Sequence, residues 1–262
     1  MELHLSGKVA IVTGASKGIG LAVTRALADE GVRVVAGSRA LTAELSELAS
    51  RAAVRPVQVD LATPEGPGTL VEAAISAFGQ LDILVNNVGA VRPRTGGFLS
   101  VTDDDWISAL TINFLAAVRT TRAALPHLLD RGTGHIVTVN SVNAALPDPL
   151  VIDYSAAKAA LASFSKSLSK ELGPHGIRVN TISPGPVSTG LWLGDDGVAA
   201  SIARATGADP DAVANSAAGD SVTGRFTHPE EVADLVLLLA SDRGGNVTGA
   251  DFVIDGGLIP TL

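Results

Sequence analysis

The chain of 262 residues contains no cysteine. Disulfides, thiolate metal ligands and cysteine nucleophiles are thereby excluded, and a reducing compartment accords with the absence. Aromatic residues make up only 3% of the chain, with a single tyrosine, so the core must be built mainly from aliphatic side chains. No segment approaches the ~18 consecutive apolar residues of a membrane span; "ADLVLLLA" is too short. The opening "MELHLSGKVAIVTG" carries an acid and a base early and does not read as a secretory signal. The formal net charge is −8 and no Lys/Arg cluster occurs, so an electrostatic footprint for nucleic acid is missing. His4, His127, His135, His175 and His228 form no H-E-x-x-H or other close ligand spacing, which leaves a metal site unsupported. No G-x-S-x-G elbow supports a hydrolase triad. A soluble, cytoplasmic protein is expected, with no metal, nucleic-acid or membrane partner.

Hydrophobic residues make up 46% of the chain and charged residues 18%, enough for a large core and against disorder. Short β-branched runs alternate with longer helical patterns. Strands are expected at 8–14, 32–38, 55–60, 81–87, 135–141, 177–183 and 251–255. Helices are expected at 21–31 (stopped by Gly31), near 41–53, and at 66–79, 103–131, 153–173 and 229–241. Asp103, Asp104 and Asp105 open the fourth, where carboxylates cap free N–H groups and suit the helix dipole. The strands lack clean alternation, as strands buried on both faces of a parallel sheet do. Right-handed crossovers then place helices on both sides. The expected fold is α/β: a Rossmann-type doubly wound sheet of about seven parallel strands, with 1–262 as one domain. The segment 188–225 mixes a short helical pattern with Gly and Asp breaks. Loops of that length are usually lids or binding loops, so it is expected to be a substrate lid.

"TGASKGIG", at 13–20, follows the first strand and opens the first helix. Gly14, Gly18 and Gly20 remove side chains where the chain must turn, and Ser16, Lys17 and Ile19 complete the loop. Backbone N–H groups can then approach a pyrophosphate at a helix N-terminus. The spacing is G-x-x-x-G-x-G rather than G-x-G-x-x-G. A glycine-rich turn that binds nothing shares the pattern; its place after the first strand favours a nucleotide. At the end of the second strand an acid would hydrogen-bond a ribose and repel a 2′-phosphate. Here Ser38 and Arg39 stand instead, with Lys17 within the glycine loop. Two cations and no acid favour NADP(H), because a phosphate needs charge-assisted donors. NAD(H) is the alternative, with both cations merely solvated or Arg39 stacked on adenine.

"YSAAK", at 154–158, holds the only tyrosine, with a lysine four residues on. On a helix these positions share a face, so Tyr154 and Lys158 can point into one cleft. A cation ~5 Å from the phenol, at an effective dielectric of ~20, favours the phenolate by about 3 kcal/mol. That is an expected lowering of roughly two pKa units from ~10, toward the range useful for acid–base catalysis. Taken alone, the pair reads equally as a packing tyrosine and a solvated lysine.

"TGASKGIG", "NNVG" (86–89), "NSV" (140–142), "YSAAK" and "SPGPVSTG" (183–190) occur in the order found in the short-chain dehydrogenase/reductase family. The chain resembles that family over essentially its whole length, and within it the branch of ketoacyl-carrier-protein reductases and related carbonyl reductases. Two departures are Val88, where alanine is commoner, and Asn140, where a serine often precedes the catalytic one. The resemblance implies catalytic roles for Asn113, Ser141, Tyr154 and Lys158. Asp60 and Leu61 would meet adenine, and Asn87 and Gly89 would lie at the strand end beside the cofactor. Pro184, Gly185, Val187 and Thr189 would hold the nicotinamide end, and Tyr154 and Lys158 its ribose. Tyr154 would exchange a proton with the substrate oxygen, Ser141 would steady that oxygen, and Asn113 would bind a water leading from Lys158 to solvent. An apolar wall of Val142, Leu146, Val151, Leu191, Trp192 and Leu193 is expected around the substrate, although Trp192 alone reads equally as an anchor for the loop. The implied activity is NADP(H)-dependent hydride transfer between the nicotinamide and a small-molecule carbonyl or secondary alcohol, in a homotetramer. An epimerase or dehydratase on the same scaffold, and a cofactor sensor without turnover, remain open alternatives.

Overall fold

A computed structural model describes residues 2–260. Seven strands form one sheet: β1 (Val9–Thr13), β2 (Arg33–Ser38), β3 (Val54–Gln58), β4 (Ile83–Asn86), β5 (Gly134–Val139), β6 (Ile177–Pro184) and β7 (Asp251–Ile254). Their order is β3-β2-β1-β4-β5-β6-β7, with all pairings parallel. Every residue of β1, β5 and β6 is buried, which is why these segments lack polar alternation. Successive residues still point to opposite faces. Ala10, Val12, Val34 and Val137 pack on one side under α1 (Gly18–Asp29), α2 (Ala43–Arg51) and α10 (Pro229–Ala240). Ile11, Val35, Leu84 and Ile136 pack on the other under α3 (Gly66–Phe78), α5 (Ala116–Arg131) and α6 (Ile152–Leu172). The core is aliphatic, as the scarcity of aromatics requires.

The strand order reverses between β1 and β4, opening a crevice beyond the strand C-termini. The remaining differences from expectation lie around that edge. The helix expected at 103–131 is broken into α4 (Asp103–Leu110) and α5 by a π turn at Thr111–Leu115, with Asn113 buried inside it. Thr102 caps α4: its hydroxyl accepts from the Asp105 N–H, and the Asp105 carboxylate takes the Thr102 N–H in return. α1 begins at Gly18, three residues earlier than its apolar pattern. The irregular 188–225 segment holds three helices, α7 (Gly190–Leu193), α8 (Val198–Thr206) and α9 (Pro210–Gly219).

His135, in β5, is 7% exposed, and its Nδ1 has no hydrogen-bond partner. Burial, aided by Arg178 and Lys8, lowers its pKa from 6.5 to about 3, against a weaker pull from Asp242. The folded chain therefore binds fewer protons here than the unfolded one. The stability this contributes is complete above pH 6.5 and is lost as pH falls toward about 3, at about 1.4 kcal/mol per pH unit. Chemical denaturation across that interval is expected to show a shallower acid slope for His135→Gln; equal slopes would contradict it.

Candidate active site

At the tip of β1, Gly14 has a φ of +67°, and a Cβ on Gly20 would lie 2.1 Å from the Gly14 oxygen. Only glycine lets α1 start so close beneath the turn. Lys17 is the N-cap of α1 but gives no side-chain cap, so the first N–H groups of the helix are open to a ligand. Two residues that sequence reasoning missed brace this loop. The Thr13 hydroxyl accepts from the Asn87 and Val88 N–H groups at 2.8 and 3.0 Å. The Thr42 hydroxyl, at the start of α2, donates to the Ser16 oxygen at 2.8 Å. Asn87 Nδ2 donates to the Thr13 and Gly14 oxygens, tying the end of β4 to the turn.

A cleft of about 1330 Å³ runs from this loop across the strand ends. At one end lie Ser38, Arg39, Asp60 and Leu61. The Ser38 hydroxyl is committed to the Ala40 oxygen at 2.8 Å. Asp60 accepts from the Ala62 N–H, and Leu61 is buried. Lys17 and Arg39 are exposed and make no ion pair among the described residues.

The other end brings together Ser141, beyond the tip of β5, and Tyr154 and Lys158, on successive turns of α6. Lys158 is 3% exposed; its Nζ donates to the Val139 oxygen at 2.9 Å and lies 5.7 Å from the centre of the Tyr154 ring. The Ser141 hydroxyl lies near enough to the Tyr154 phenol to favour its charged form. Ser141 Oγ donates to Asn143 Oδ1 and accepts from the Asn143 N–H, each at 3.2 Å. Asn143 escaped sequence reasoning, since nothing in "NSVN" distinguishes it from a turn residue.

The expected lowering of the phenol pKa by Lys158 is overturned. Burial pushes Tyr154 above 10, and the Ser141 contact offsets this only in part. Burial also lowers Lys158 from 10.5 to about 8. Loss of hydration around the half-buried phenol disfavours its charged form, and only Ser141 acts against it.

Asn113 does not line the cleft; it lies behind, 1% exposed. Its Oδ1 accepts from the Ala90 N–H at 3.0 Å, and its Nδ2 donates to the Ala90 and Ala109 oxygens at 2.9 and 3.0 Å. The Asn113 amide thus straps the loop after β4 to the π turn through Ala90, while its second hydrogen bonds back to α4 through Ala109. Gly89, Pro184, Gly185, Val187 and Thr189 complete the floor beside the glycine loop. Val142, Leu146, Val151, Leu191 and Trp192 line the cleft as an apolar flank. Leu193 does not: it lines a separate cavity of about 620 Å³ with Ala199 and Ala203, because α7 turns it away. Trp192 also packs edge-on against Phe226, with ring centres 5.3 Å apart.

Comparison with known proteins accords with this geometry. Residues 14–259 match a family model described as enoyl-(acyl carrier protein) reductase. The chain is 36% identical over 255 residues to the short-chain reductase protein NovJ of Streptomyces niveus, covering 95% of this chain and 93% of that one. It is 32% identical over 262 residues to the 3-oxoacyl-[acyl-carrier-protein] reductase FabG of Thermotoga maritima, covering 98% and 100%. Its fold superposes on L-sorbose reductase from Gluconobacter frateurii, solved with NADPH and L-sorbose, with a TM-score of 0.91, 36% identity and full coverage of both chains. The chain belongs to the short-chain dehydrogenase/reductase family, in its ketoacyl-reductase-like branch. It is an oxidoreductase acting on CH–OH and C=O groups.

The buried lysine has a thermodynamic signature. Below about pH 8 its ammonium is charged in both folded and unfolded chains, and burial penalises the fold; above 10.5 the penalty is gone. Lys158→Met is therefore expected to be more stable than the parent at neutral pH, by about 2 kcal/mol after allowing for the orphaned Val139 carbonyl. The gap should close between pH 8 and 10.5. A variant less stable than the parent at neutral pH would contradict this.

Proposed function

We propose that the protein is an NADP(H)-dependent carbonyl reductase in which Tyr154 is the proton donor. The observation that carries this reading is the meeting of Tyr154, Ser141 and Lys158 in one cleft with the glycine loop. NADP(H) rather than NAD(H) is supported by the uncommitted Lys17 and Arg39, and by the NADPH in the L-sorbose reductase structure. The residues suit the dinucleotide: the open N–H groups of α1 for the pyrophosphate, Lys17 and Arg39 for the 2′-phosphate, and Asp60 and Leu61 for adenine. Lys158 and Tyr154 would take the nicotinamide ribose. Asn87, Gly89, Pro184, Gly185, Val187 and Thr189 would bound the nicotinamide end. The bound dinucleotide supplies the hydride.

The protein's own groups manage the oxygen. Burial keeps the Tyr154 proton in place at neutral pH, so the phenol is poised to donate rather than to accept. The Ser141 hydrogen turns from Asn143 Oδ1 to the substrate oxygen, while the Asn143 N–H continues to hold Oγ. The Lys158 ammonium, charged below about pH 8, stabilises the phenolate left behind. Asn113 acts through the loop it straps. The substrate is a small carbonyl compound of mixed polarity, set against Val142, Leu146, Val151, Leu191 and Trp192 with Asn143 beside the oxygen site. Within a single domain, the 188–225 segment serves as the lid. The enzyme works in the cytoplasm as a homotetramer, a state supported by apolar Leu99 and Ile107 beside and on α4 and Val253 on the edge strand β7, all exposed on the single chain.

Tyr154→Phe is expected to retain NADPH affinity, measured by fluorescence titration, and to lose at least about a thousand-fold in kcat. Retained turnover would refute the proton-donor role, and tight NADPH binding without oxidation on any ketone of a broad panel would favour a sensor. The reduction rate is expected to fall above about pH 8 as Lys158 loses its proton. kcat/KM should favour NADPH over NADH, and Lys17→Ala/Arg39→Ala should abolish the preference. A parent enzyme that prefers NADH would overturn the cofactor assignment.

A further inference from the structure

Behind the candidate site lies a charge cluster without a role in the chemistry above. Arg94 sits in the loop between β4 and α4, with its side chain 11% exposed. Its Nε and Nη2 both donate to Asp153 Oδ2, and its Nη1 donates to Asp105 Oδ1 at 2.8 Å. Its backbone N–H donates to the Leu150 oxygen at 2.6 Å, so Arg94 is fixed at both ends. Asp153 is 2% exposed and directly precedes Tyr154 in the first turn of α6.

That turn has no side-chain cap of its own; a 3-10 turn at Pro149–Val151, capped by Asp148 accepting from the Leu150 N–H at 2.8 Å, leads into it. α6 starts after Val151, which provides no side-chain cap, although the turn carries the reacting phenol. Its two external holds flank Tyr154. On one side Asp153 is gripped by Arg94; on the other, Ser155 Oγ accepts from the Asp148 N–H at 3.3 Å. Asp105 is itself locked by the α4 capping box, so Arg94 links a rigid helix end to an uncapped one. The planar fork of a guanidinium reaches two carboxylates in fixed directions, whereas an ammonium acts as a point charge. Arg92 meets Asp105 only at 3.7 Å, from an exposed position, and has no contact with Asp153.

We propose that Arg94 is a positioning residue for the reaction: its ion pair with Asp153 holds the first turn of α6 so that the Tyr154 hydroxyl stays at Ser141. The proposal rests on the reading of Tyr154 as proton donor. A buried ion pair replaced as a unit by apolar side chains often leaves stability unchanged, which separates geometry from stability.

The test is the double variant Arg94→Met/Asp153→Leu, which strands neither member of the pair and leaves Asp105 with the Thr102 N–H and hydroxyl and the exposed Arg92. NADPH affinity and the thermal midpoint should stay near those of the parent, while kcat falls by about ten-fold or more with little change in KM. Arg94→Lys should restore part of kcat. A second readout needs no turnover. The chain has one tyrosine, so ring-labelled tyrosine gives one set of resonances. These should broaden or move toward the free-tyrosine position in the double variant. Parental kcat with an unmoved tyrosine signal would overturn the proposal. Should the double variant not fold, Arg94→Lys decides by the same two readouts: a lowered kcat with a moved signal supports the proposal, and parental values sink it. If the parent reduces no carbonyl, the functional reading fails, and the tyrosine signal alone still decides whether the ion pair orders the turn.

Discussion

Lys158 holds an ammonium almost out of contact with water, with the Val139 carbonyl as its hydrogen-bond acceptor. Taking a charge out of water is unfavourable by several kcal/mol, so this arrangement persists only where the surrounding fold imposes it. β5 and α6 must meet at the strand tip for the carbonyl to reach the ammonium. The same meeting sets Tyr154 against Ser141 and makes both titrations abnormal in opposite senses. Burial raises the phenol and lowers the ammonium, so the Tyr154 proton is held tightly beside a lysine that stays charged only below about pH 8.

The reversal of strand order decides where that chemistry can be used. Between β1 and β4 the connections leave toward opposite faces and the crevice stays open. The glycine turn lies on one side of it and the β5 tip on the other. Thr13 and Asn87, seventy-four residues apart, bind the glycine turn to the end of β4, and β4 pairs along its length with β5. The glycine turn and Tyr154 are therefore held in register by the sheet itself, while the apolar flank of the cleft is built from more exposed pieces such as Leu146 and Leu191.

Much of this was legible in the sequence because it depends on local rules. The buried strands show as β-branched runs, the glycine loop as a turn between strand and helix, and Tyr154 with Lys158 as neighbours on a helix face. What was not legible depends on tertiary surroundings. The π turn at Asn113 is coupled to Ala90, twenty-three residues away, and a helical pattern cannot reveal it. α8 and α9 hide among Gly and Asp breaks that also suit a loop. The direction of the Tyr154 shift was misjudged because spacing reveals the cation but not the loss of water around both groups. Leu193 was misplaced because a helix of four residues fixes its own facing poorly. Arg94 and Asp153 lie fifty-nine residues apart and carry no mutual signal in the chain.

The direction in which a dinucleotide lies across the strand ends decides whether the cleft is the catalytic one. A crystal structure of the protein with NADP⁺ tests this most directly. The pyrophosphate is expected on the Gly14–Gly20 turn, the 2′-phosphate at Lys17 and Arg39, and the nicotinamide ring within reach of the Tyr154 and Ser141 hydroxyls. A nicotinamide ring remote from Tyr154, or a dinucleotide bound outside the glycine-lined cleft, would contradict it.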